Sequence, residues 1–240
     1  HSCPPPHTFL GHAGFMSVGA FSGVIAAMSL KAAIPSGTAR LVIAIVVGAL
    51  CAAVAGILVG IPVLRLRGDY LAIVTLAFGE IIKELINCLL VGVDSSGLHM
   101  AFNVTGQKSI SDLHLAEGGT AIIKGAQGAV GTAKLASFPA GFVLIMVTLV
   151  IVLNLVRSRT GRAIMAIRDN RIAAESVGLN VTWYKLAVFV IAAFFAGCAG
   201  VLYGHSLANI KAAAFDYNMS IEILVIVVLG GMDSVPGAEL

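Results

Sequence analysis

Arg157 to Lys185 reads RSRTGRAIMAIRDNRIAAESVGLNVTWYK, the longest polar cationic interval between two strongly apolar segments of the chain. Six of the fifteen Lys and Arg lie here: Arg157, Arg159, Arg162, Arg168, Arg171 and Lys185, against only Asp169 and Glu175. Lys and Arg close to membrane segments are retained inside the cell. The interval is therefore expected to be a cytoplasmic loop, residues 157–185, between two transmembrane helices. It also has the marks of local structure. Asp169 or Asn170 can cap a short helix, and Gly178 can end it in a left-handed conformation. Ile172, Ala173, Ala174 and Val177 fall at roughly helical spacing and make a small apolar stripe. Such a helix suits docking into a groove of another protein; a basic loop resting on anionic headgroups is the other reading.

Composition agrees with a membrane protein. The chain of 240 residues is 58% hydrophobic and 11% charged, with mean hydropathy +0.98; soluble domains are about 25% charged. Loop orientation accounts for the net charge of +3 without nucleic acid. Cys51, Cys88 and Cys198 sit in apolar segments at no metal or disulfide spacing, and packing is their expected role. His1, Cys3, His7 and His12 match no zinc pattern, so no metal is expected. HSCPPPHTFL, which opens the chain without Met, is not a signal peptide, and the chain reads as a fragment.

Hydropathy places spans at residues 10–30, 41–64, about 70–91, 139–156, 186–208 and from 221 to 232, where Gly230-Gly231 breaks the last. The expected fold class is all-α: a polytopic bundle of about six spans forming one permease-like domain over residues 1–240. Gly19 and Gly23, Gly56 and Gly60, and Gly200 and Gly204 each repeat the spacing that lets helices approach closely. The third span carries Glu80, Lys83 and Glu84. Charges within a span cost about 2.5–3.5 kcal/mol each on insertion scales, so these face protein or water. One reading is a wet pathway or proton relay. The other, which the spacing favours, is a self-paired patch in which Lys83 reaches Glu80 and Asn87. Residues 92–137 are expected to be a long external loop, with Ile122 to Ala136 a weak helix or re-entrant piece. Ser220 resembles an N-cap, with Glu222 in the first turn. This alternation leaves eight cations inside, Arg65, Arg67 and the six of the loop. Six lie outside, Lys31, Arg40, Lys108, Lys124, Lys134 and Lys211.

Five pieces in order carry a resemblance: Leu10-Gly11-His12-Ala13; Leu64-Arg65-Leu66-Arg67-Gly68-Asp69-Tyr70-Leu71-Ala72-Ile73-Val74-Thr75-Leu76; Arg159-Thr160-Gly161-Arg162-Ala163; Ser220-Ile221-Glu222-Ile223-Leu224; and Val228-Leu229-Gly230-Gly231-Met232. Together they resemble the permeases of branched-chain amino acid ABC importers, of the LivM type. The resemblance implies a multi-pass permease of a bacterial cell membrane, paired with a second permease subunit and two cytoplasmic ATPases. An extracytoplasmic binding protein would deliver the substrate. It implies that Arg162, Arg168, Asp169, Ala173, Ala174, Glu175 and Gly178 belong to the segment that contacts an ATPase. ATP and magnesium would then sit on partner chains, and no cofactor is expected here. Lys124-Gly125 lacks the other residues of a phosphate-binding loop, and no catalytic constellation appears at workable spacing, so the chain is not read as an enzyme. The competing class is an ion-coupled secondary transporter or channel that uses Glu80, Lys83 and Glu84.

Overall fold

The computed structural model describes residues 11–31, 34–64, 69–94, 97–103, 120–132 and 134–229. The expected cationic edge at Arg65 and Arg67, together with Lys108 and the Gly230-Gly231 break, lies outside them. The protein is an all-α, polytopic membrane protein. Its helices are α1 (His12–Ser29), α2 (Gly37–Val63), α3 (Asp69–Asn87), α4 (Phe138–Arg157), α5 (Arg159–Asp169), α6 (Arg171–Ser176), α7 (Val181–Ser206) and α8 (Tyr217–Leu229). Four of these, α1, α2, α4 and α7, are long and apolar enough to cross a membrane. α3 has 19 residues but carries four charged ones, and α8 is a shorter apolar helix.

α1, α2 and α7 form the centre, and glycine sets their separation. A Cβ added to Gly19 would stand 2.5 Å from the Cα and carbonyl oxygen of Gly197. One on Gly23 would meet Val201, one on Gly200 the backbone of Met16, and one on Gly204 Ala20 and Ile210. These pairs rise together along both helices, so α1 and α7 are parallel. Gly48 meets Val201, Gly56 meets Ala193 and Gly60 meets Leu186, which runs α2 antiparallel to α7. In lipid the hydrophobic effect does not drive helices together, so close van der Waals contact of small residues must do so. α3 joins through the same device, because Gly11 meets Thr75 and Gly14 meets Gly79.

α4 stands apart. Not one of its 20 residues is buried. A helix that is apolar on all sides is stable there because its backbone is internally hydrogen-bonded and hydrocarbon surrounds it.

Residues 92–137 are not a featureless loop. β1 (Leu89–Asp94), β2 (Gly97–Phe102), β3 (Thr120–Lys124) and β4 (Ala129–Val130) join β5 (Asn209–Ile210) in an antiparallel sheet of order β2-β1-β3-β4-β5. Val91 pairs with Met100 on one side and Ile123 on the other, Ile123 with Ala129, and Ala129 with Ile210. The helix or re-entrant piece expected from Ile122 is thus a strand, a 3₁₀ turn at Gly125–Gln127 and a second strand. Gly128, at φ +74°, makes that turn. Ile122 and Ile123 are fully buried, with Phe21, Val24, Ile86, Val91, Ile210 and Phe215, in the core that fixes the sheet to α1 and α3.

Other boundaries also move. The third expected span ends early, because Leu89 to Val91 are already strand. α2 starts four residues before its expected first residue and includes Arg40, expected in an outer loop; the side chain is buried. α8 is capped by Asp216 rather than Ser220: its Oδ1 accepts from the amides of Asn218 at 3.0 Å and Met219 at 3.4 Å. Ser220 is a turn inside the helix and buried.

Replacing Gly19 with Val should force apart two backbones that have no room to yield, at a cost of about 3 kcal/mol or more. Gly141→Ala, whose new methyl meets only a Leu202 side chain at 3.4 Å, should be nearly neutral. Thermal unfolding of the detergent-solubilised protein compares the two. Equal midpoints would mean that α1 and α7 do not touch here.

Candidate functional site

The sheet collects the ends of α3 and α7 and the approach to α4 on one side of the bundle. By chain direction, residues 157–181 therefore lie at the opposite end. There the sequence builds a compact helical module from backbone caps. Ser158 closes α4 and opens α5: its amide donates to Leu155 O at 3.1 Å, and its Oγ accepts from Gly161 N at 3.1 Å. Gly161 sits against the carbonyls of Leu155 and Val156, so no side chain fits at this position. That is the physical reason for glycine in Arg159-Thr160-Gly161-Arg162.

Asn170 opens α6, accepting from Ala173 N at 3.1 Å. Gly178, at φ +87°, ends it. The amide of Leu179 donates to Ala174 O at 3.1 Å and that of Gly178 to Glu175 O at 3.0 Å. This doubled closure satisfies the last carbonyls of the helix. Asn180 then accepts from Trp183 N at 3.2 Å and starts α7 inside the interval expected to be loop. Three Ser or Asn side chains thus begin three consecutive helices.

A small core holds the module to α7. Ile167 of α5, Ala174 of α6 and Val181 of α7 are buried together, with Leu179 and Tyr184 against them. This divides the apolar stripe expected at 172–177. Ala174 turns inward, whereas Ile172 is 81% and Val177 82% exposed. Arg162, Arg168, Asp169, Ala173, Glu175 and Gly178 are also exposed. Arg168 Nε lies 3.5 Å from Asp169 Oδ1 with both side chains largely in solvent. Such a pair contributes little stability. The module therefore presents two bare aliphatic side chains among charged groups of both signs.

The polar groups of α3 take the self-paired arrangement. Lys83 pairs with Glu80, and its Nζ lies 4.0 Å from Glu84 Oε1. Asn87 does not reach Lys83; its Nδ2 donates to Glu84 at 3.3 Å. Beside them a crevice of about 10 Å³, room for one water, lies between α1, α3 and α8, where Gly14, Gly79, Glu80, Asp216 and Ser220 face it. No group of three or more metal-ligating side chains occurs among the described residues.

The expected packing glycines Gly19, Gly23, Gly56, Gly60, Gly200 and Gly204 all lie on the α1, α2 and α7 contacts. Gly197, expected on one narrow face with Gly200 and Gly204, lies against Gly19; the spacing rule missed Gly48, where an added Cβ would stand 2.3 Å from Val201, and the Gly14–Gly79 contact with α3. Their partners lie on other helices, so no single-helix repeat marks them. The Ser158 cap has only the Ser itself as a sequence signal, because Gly161 stands where a capping box has Glu or Gln.

A family model for the permease component of a branched-chain amino acid transport system matches residues 9–240. The chain is 34% identical over 236 residues to the high-affinity branched-chain amino acid transport system permease protein LivM of Salmonella typhimurium. It is 34% identical over the same length to LivM of Escherichia coli. Each alignment takes in 94% of this chain and 52% of the relative, so the chain spans about half the length of the curated relatives it matches. No solved structure matches.

Removing the Asn170 cap should free the start of α6. Asn170→Ala is expected to cost about 1 kcal/mol, roughly a fivefold rise in amide exchange over residues 171–176, whereas Asn170→Asp should keep the protection. Hydrogen-exchange mass spectrometry reads this segment directly. Equal exchange in all three proteins would mean that the cap does not form.

Proposed function

We propose a transport role from one premise: the chain belongs to the family of branched-chain amino acid transport system permease components. The chain is the membrane-spanning permease subunit of an ATP-driven importer for branched-chain or related amino acids. A second permease subunit lines the path with it, two cytoplasmic ATPases supply the work, and an extracytoplasmic binding protein delivers the substrate. ATP and magnesium reside on the ATPases.

The observation that carries this reading is the α5–α6 module. Ile172 and Val177 are bare on it, with Glu175 exposed between them and Arg162, Arg168 and Asp169 exposed on α5. An aliphatic pair with charged residues of both signs around it suits an apolar groove with a polar rim on a partner. The module is also coupled to the bundle. Its buried Ile167–Ala174–Val181 core ties it to α7, and α7 is held at backbone distance to α1 and α2. A push on Ile172 and Val177 would therefore reach three packed spans as one rigid-body displacement. The self-neutralised Glu80–Lys83 pair gives an ion-relay mechanism no separate support.

Ile172→Glu together with Val177→Glu, and separately Arg168→Glu, should reduce uptake of radiolabelled leucine by roughly tenfold or more, an interface loss of ~1.4 kcal/mol or above. Membrane insertion and the stability of the chain should be unchanged, because all three side chains are in solvent. Wild-type uptake in both variants would remove the coupling assignment. A cysteine placed at Ser176 should react with an impermeant thiol reagent only from the cytoplasmic side. Labelling from outside intact cells would invert the topology and end the proposal.

A further inference from the structure

Arg40 is the one side chain among the described residues with a fully enclosed polar atom that lacks a hydrogen-bond partner, its guanidinium Nε. The residue is only 9% exposed, and no ion pair among the described residues includes it. A buried guanidinium N–H normally has an oxygen acceptor on it, most often an anionic one. The described residues around it supply no carboxylate. At this sheet end of the bundle, residues 31, 34–40, 130–132, 134–137 and 205–211 contribute Lys31, Arg40, Lys134 and Lys211 and no Asp or Glu. The chain beside the first turn of α2 is held in place: Leu135 lies against Gly37, and Ala136 N donates to His205 O at 3.3 Å.

The helix end beside Arg40 is open as well. Ser36 makes no side-chain cap for α2, and the first turn holds no acid. The first intrahelical bond runs from Arg40 N to Ser36 O at 3.2 Å, so the amides of Gly37, Thr38 and Ala39 have no intrahelical acceptor. Depth identifies the anion. α2 has 27 residues, about 40 Å of helix against a hydrocarbon core of ~30 Å, so each end overshoots by roughly one turn. Arg40, one turn in, lies where hydrocarbon gives way to headgroups. Directly along the same side of α2, at helical spacing, follow Val47, Cys51, Val54 and Leu58. Cys51 is exposed, Val54 is 55% and Leu58 70% exposed.

We infer that Arg40 and the open N-terminus of α2 form a binding site for the phosphate of a phospholipid, with one acyl chain lying along Val47 and Cys51. The phosphate diester accepts from the guanidinium and from the first-turn amides, where the helix dipole adds to the attraction. No bond is made or broken, so the site anchors α2 at its sheet end.

The test uses the full chain extracted from membranes in mild detergent, with bound phospholipid counted by native mass spectrometry. Arg40→Met is expected to lower retention roughly tenfold, and Arg40→Lys to restore part of it, because an ammonium still pairs with phosphate. After delipidation, phosphatidylglycerol should rebind to the wild type and diacylglycerol of the same chains should not. Equal retention by Arg40→Met, or equal binding of diacylglycerol, would overturn the site. Displacement of the lipid by millimolar inorganic phosphate would overturn the lipid assignment in favour of a free anion. Should Arg40→Met not fold, the wild type decides alone: a phospholipid with a photoreactive acyl chain should label α2 between Val47 and Cys51, and labelling confined to other helices would exclude the proposal.

Discussion

Backbone contact between Gly19 and Gly197 is the constraint on which the rest of the molecule depends. Two helices in hydrocarbon have nothing to gain from hiding apolar surface, since the surroundings are equally apolar. What they can gain is the dispersion energy of many atoms at contact distance, and that requires the axes to approach. Gly19, Gly48, Gly197 and Gly200 remove the side chains that would prevent it. α1, α2 and α7 consequently behave as one body. α3 leans on that body through Gly14 and Gly79, and α4 leaves every residue unburied.

The two ends of this body are built by different physics. At one end an antiparallel sheet gathers segments remote in sequence, and its buried Ile122, Ile123 and Ile210 pack on Phe21 and Phe215. That end is fixed by tertiary burial. At the other, short helices are begun by Ser158, Asn170 and Asn180 and closed by Gly178, interactions of about 1 kcal/mol each that act within a few residues. Local caps shape the module, and only Ile167, Ala174 and Val181 attach it to the bundle.

Charge placement follows the same division. Lys83 and Glu80 neutralise each other within one helix turn, a pairing that spacing alone suggests. Arg40 has no such partner among the described residues, and its environment could not be read from the sequence: Leu135, which lies against Gly37 one turn before it, is nearly a hundred residues away along the chain.

The sequence by itself determined the class of the protein, the position of its long apolar helices, a cap at Asp169 or Asn170 and the closing turn at Gly178; the structure puts the cap on Asn170. Hydropathy, turn chemistry and the N-cap preference act over a few to about twenty residues, so they leave their mark in contiguous sequence. The tertiary structure alone decided that Ile122 and Ile123 are strand and not helix, because a short apolar run has no period that separates the two. It also decided that Ala174 turns inward while Ile172 and Val177 face out, and that Asp216 rather than Ser220 opens α8. Each of these depends on what another element places opposite the residue, and β5 meets β4 across some eighty residues of intervening chain. No local pattern encodes that partner; the packed bundle supplies it.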